Sequence, residues 1–220
     1  MVLDVRVRTQ RCEPRLAAFA IAVVLGLQEG LLLAGLRAVS PTRIPSWLGV
    51  LTPVALVGTA AMTLVAPRPR PGVWWLFGAG ATIMVEGHGI HLAANALSHG
   101  RFGDAHVWDE VIGHHLLFAG VAVVFAAVFV ALADRTLHVG RVGYLLAAAV
   151  GITLFNSYVE GATPVLGLAT CAGFLVAGWQ ARRTPRGVLA LVTFTTTLLL
   201  LLGWGAYWQG FPEFSDLGWI

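Results

Sequence analysis

Seven long apolar stretches divide this chain of 220 residues, near positions 16–37, 46–66, 73–98, 107–133, 142–160, 163–181 and 187–208. Crossing about 30 Å of hydrocarbon takes roughly 20 helical residues, and each stretch is near that length. A helix satisfies its own backbone hydrogen bonds, so it is the form such segments take in lipid. Composition agrees: 57% of residues are hydrophobic and only 11% charged, against about 25% charged in soluble domains. The expectation is an all-α polytopic membrane protein, with residues 1–220 forming a single domain of seven transmembrane helices. The first apolar run is too long for the core of a signal peptide and reads as a retained span. Cys12 precedes that span and Cys171 lies in a later one, so no disulfide framework is expected.

Arginines predict the orientation. Arg6, Arg8, Arg11 and Arg15 precede the first span; Arg68 and Arg70, then Arg135 and Arg141, then Arg182, Arg183 and Arg186 occupy alternate connections. The opposite side carries Arg37, Arg43 and Arg101, offset by Asp104, Asp109, Glu160, Glu213 and Asp216. The positive-inside rule then puts the N-terminus in the cytoplasm and the C-terminus outside. The net charge of +3 and the lack of a lysine-rich tract give no support to nucleic-acid binding. Membrane lipids are the expected surroundings.

Six of the seven histidines fall between His88 and His115. His88 and His91 lie in the third stretch, His114 and His115 in the fourth, with Glu86, Asp109 and Glu110 among them. Ionisable groups in hydrocarbon are costly and usually mark function. From the rise per residue, His91 and His114 both lie roughly 10 Å from the outer ends of their spans, and Glu29 roughly 12 Å. Asn156 and Glu160 end the fifth span at the same side. His88, His91, Asn95 and His99 form one helical stripe, and Glu110 and His114 share a face at i, i+4. His115 is turned about 100° from His114, and Glu86 points away from the histidine stripe.

Several imidazoles and carboxylates at one depth fit a site for one or two divalent ions of Zn, Fe or Mn. The expected ligands are His88, His91, His114, His115, Glu110 and Glu160. Glu110, Glu29 and Asp109 are the candidate catalytic carboxylates, and Asn95 and Asn156 would orient the ligands. The expected function is a membrane metalloenzyme that hydrolyses or oxidises a lipid or another apolar substrate. The ordinary alternative is that these histidines bond backbone or one another inside the bundle. Haem held by His91 and His115 is a further reading. So are ion, proton or metal transport and an accessory subunit of a larger membrane complex.

The HxxH and HH clusters are similar to the histidine boxes of membrane desaturases and hydroxylases, which have more histidines and face the cytoplasm. Seven spans with the N-terminus inside also resemble membrane zinc hydrolases of the ceramidase and adiponectin-receptor type, whose last span carries a histidine pair; here it carries none. No family is assigned. The aromatic C-terminal stretch GWGAYWQGFPEFSDLGWI reads as an interfacial belt or as a lid carrying Glu213 and Asp216 toward the site. His138 reads as surface.

Overall fold

A computed structural model describes residues 12–28, 44–65, 67–97, 103–133 and 135–219. All regular structure among them is helical: α1 (Cys12–Gly26), α2 (Ile44–Val65), α3 (Pro71–Leu97), α4 (Asp104–Ala131), α5 (Arg141–Glu160), α6 (Pro164–Gln180) and α7 (Pro185–Trp208). Prolines start α3, α6 and α7, where a missing N–H costs nothing. Thr184 caps α7, its hydroxyl accepting from the Gly187 N–H at 3.3 Å.

The all-helical expectation holds, but the count of spans does not. Among the described residues three helices are long and apolar enough to cross a membrane: Asp104–Ala131, Arg141–Glu160 and Pro185–Trp208. The expected seven differ for three reasons. The first stretch is described as helix only from Cys12 to Gly26. Helix Pro164–Gln180 is short, and the apolar window described in α2 covers Gly49–Val65 alone. Helix α3 has the length but carries Glu86, His88, His91 and Asn95.

Helices α3 and α4 run antiparallel with their backbones in contact, and glycine makes this possible. A Cβ on Gly120 would lie 2.3 Å from the Met84 nitrogen, and one on Gly87 2.3 Å from the Leu117 nitrogen. Gly80 against Val124 and Gly113 against His91 continue the same seam. Small residues at close helix crossings are the usual means of packing where lipid supplies no hydrophobic drive. Helices α5 and α7 use the same device with hydroxyls added. Gly151 admits α7, and Thr193 and Thr197 donate to the Ala147 and Gly151 carbonyls, each at 3.0 Å. Phe125 of α4 packs on Phe19, Phe174 and Phe194 and joins α1, α6 and α7 in one apolar core.

Gly120→Val is expected to cost about 1–3 kcal/mol by overpacking this seam, read as a lower unfolding midpoint in detergent. Gly89→Ala, where an added Cβ meets nothing within 4 Å, is expected to leave that midpoint unchanged or slightly raised.

Candidate metal centre

The seam brings the polar part of α3 against the start of α4. The segment Val107–Gly113 of α4 is a π-helix. In an α-helix, residues five apart are turned about 140° from each other. The i→i+5 bonding of a π turn restores them to one face. The His114 N–H donates to the Asp109 carbonyl across that interval. Asp109 and His114 therefore point together toward α3, where His91 meets them.

His91 Nδ1 lies 2.5 Å from Asp109 Oδ1, and the His91 and His114 rings are 4.5 Å apart. One ligand atom from each of His91, Asp109 and His114 falls within a set no more than 4.8 Å across. Asp109 and His114 are buried and His91 is half-buried. Glu110 borders the group, with Oε2 3.1 Å from His114 Nδ1. The angles there do not make a hydrogen bond, so both atoms are buried without a hydrogen-bond partner. The two atoms face each other at ion-pair distance with their hydrogen-bonding capacity unused. The donor set of two imidazoles and two carboxylates is one that Zn, Fe or Mn accepts. Gly161 closes the far side: a Cβ there would lie 3.2 Å from His114 Cγ and 2.5 Å from Phe118 Cε2.

The other candidate residues are used differently. His88 is buried, its Nε2 bonded to the Gly49 carbonyl at 2.7 Å, which ties α3 to α2. Its ring stands 6.1 Å from that of His91. His115 is exposed and bonds the Val111 carbonyl of its own helix at 2.7 Å. Asn95 and Glu86 are exposed on α3. Asn156 donates to Gln28 Oε1 at 3.1 Å, in the contact between α1 and α5. Glu29 and His99 lie outside the described residues. Glu160 Oε2 accepts from the Phe214 and Ser215 amides at 2.9 and 3.4 Å, which fastens the C-terminal segment.

That segment folds back over the same end of the bundle. Trp204 donates to the Pro212 carbonyl at 3.1 Å, and Phe214 packs on Phe155, Trp204 and Trp219. It carries Glu213 into the field of the site. Burial pushes the Glu213 carboxyl from 4.5 up to about 7, and the charges of Glu110, Asp216 and Glu160 add to this. The Ser215 hydroxyl, donating to Glu213 Oε2 at 3.4 Å, opposes it. The sequence reading placed Glu213 only as one option for a lid; its proximity to Glu110 depends on the fold-back.

No protein family, no curated protein and no solved structure matches the chain.

A raised carboxyl pKa favours the folded segment while Glu213 is protonated in both states. The benefit is complete below pH 4.5 and is lost as pH rises to about 7. Hydrogen-exchange protection of the Phe214 and Ser215 amides, corrected for intrinsic rate, is expected to fall across that window. In Glu213→Gln the fall attributable to this group is expected to disappear.

Proposed function

We propose that the chain is a polytopic membrane metalloenzyme. It holds a divalent ion with His91, Asp109 and His114 and acts on a lipid or another apolar substrate. The observation that carries this reading is the convergence of those three ligand atoms within 4.8 Å, beside the orphaned Oε2 of Glu110. Such an ion supplies a Lewis acid and an activated water for hydrolysis, or a redox centre for oxidation. The protein's own groups do the rest. The hydrogen bond between Asp109 and His91 fixes the imidazole's orientation. Glu110 is placed to take or give a proton beside His114. Glu160 anchors the C-terminal segment that covers this end.

In this reading the chain lies in the membrane with its arginine-rich connections in the cytoplasm. Helix α3 tolerates its polar residues because His88 and His91 face protein partners. The metal centre then sits toward the outer face. An apolar recess of about 530 Å³, lined by Phe155, Gly203, Trp204, Tyr207, Trp208 and Trp219, opens at the same end of α5 and α7. Its aromatic lining suits an acyl chain or another apolar body.

Protein purified in mild detergent and exposed to Zn, Fe or Mn is expected to retain about one equivalent of ion. His91→Ala, His114→Ala and Asp109→Asn should each weaken retention, while His115→Ala and Asn95→Ala should leave it unchanged. Retention unaffected by the first three variants would refute this ligand set. An absence of bound metal together with proton flux in liposomes would favour a proton relay through His91 and Asp109 instead.

A further inference from the structure

The end of the bundle away from the histidines contains a second site of different chemistry. A cavity of about 750 Å³ lies between α1, α4, α5, α6 and α7. On α4 its lining begins at Phe125, roughly 24 Å along the helix from Asp109. Its interior is apolar, with Phe19, Phe125, Phe129, Phe174 and Phe194 among the lining residues. Its titratable lining residues are Glu13, His138, Arg141 and Arg186.

Arg186 is the informative residue. Its Nη1 donates to the Phe129 carbonyl at 2.9 Å and its guanidinium lies over the Phe129 ring, 4.8 Å from the centroid. These contacts fix the group, yet Nε is buried without a hydrogen-bond partner. A guanidinium beside a cavity with one donor unsatisfied is matched best by an oxyanion, which takes two donors of the fork at once. Helix α5 adds to the positive field. It begins in the same lining, at Gly140 and Arg141, and no side chain caps its first turn. The dipole at a helix start favours an anion. Glu13 is the one acid present, and it is already engaged by the His138 amide at 2.7 Å.

We propose that this cavity binds an anionic phospholipid, with its phosphate on Arg186 and Arg141 and an acyl chain in the phenylalanine-lined interior. The volume is within the range of about 300–1,000 Å³ typical of ligand sites. An apolar body with a cationic mouth matches an amphiphile rather than a small anion. This inference does not rest on the metal centre.

The test is binding of phosphatidylglycerol and phosphatidylcholine to the full chain in detergent, followed by native mass spectrometry and thermal shift. Phosphatidylglycerol is expected to bind about tenfold more tightly. Arg186→Gln should erase that preference. Ala20→Phe, which fills the cavity and keeps both arginines, should weaken both lipids. Inorganic phosphate alone should give no shift. Equal binding of the two lipids by the unaltered protein would overturn the proposal. So would a full shift with phosphate alone. Retained metal in both variants would separate this result from any failure of the histidine site.

Discussion

The backbone contact between α3 and α4 is the constraint on which the site depends. Gly80, Gly87, Gly113 and Gly120 let two helices approach until main-chain atoms touch. Closer approach gives more dispersion contact along the whole seam, the main source of helix association in an apolar surrounding. It also decides the chemistry. The contact at Gly113 seats the His91 backbone against the π turn, and His91 Nδ1 lies 2.5 Å from Asp109 Oδ1.

The π turn is the second necessary element. Without it Asp109 would face away from His114, and the acidic partner at this position would be Glu110 alone. Inserting a π turn weakens the helix locally, and such turns concentrate at functional sites. Here the weakness is offset by the seam on one side and by Gly161 resting on the His114 ring on the other. Burying Asp109 beside His91 is costly for either group alone, so removing one partner is far more damaging than replacing both.

Much of this was legible in the sequence, and the remainder failed for identifiable reasons. The apolar stretches marked the ends of α3 to α7 to within about three residues, because hydropathy and the Pro and Gly punctuation report on the same boundaries. Depth along antiparallel helices brought His91 and His114 together. Ideal α-helical phase then promoted Glu110 as the ligand paired with His114 and left Asp109 among the catalytic carboxylates. A π turn leaves no plain mark in a sequence, so the true register could not be read. His115 satisfied itself on the Val111 carbonyl, an i−4 bond open to any exposed helical histidine. Glu160 was drawn to backbone amides by a C-terminal fold-back that residue spacing does not specify. The orphaned Nε of Arg186 is likewise a property of packing, invisible before the helices are assembled.

Two polar ends are therefore separated by an apolar core built on Phe125 and its neighbours. The histidine end is proposed to hold a cation, and the arginine end an anion. The central claim concerns the first. The X-ray absorption fine structure of the protein loaded with one equivalent of zinc reads the ligand shell directly. The account predicts nitrogen and oxygen ligands near 2.0–2.2 Å, with the multiple-scattering pattern of two imidazoles reduced to one in His114→Ala. A shell of oxygen alone, or one unchanged by that substitution, would contradict it.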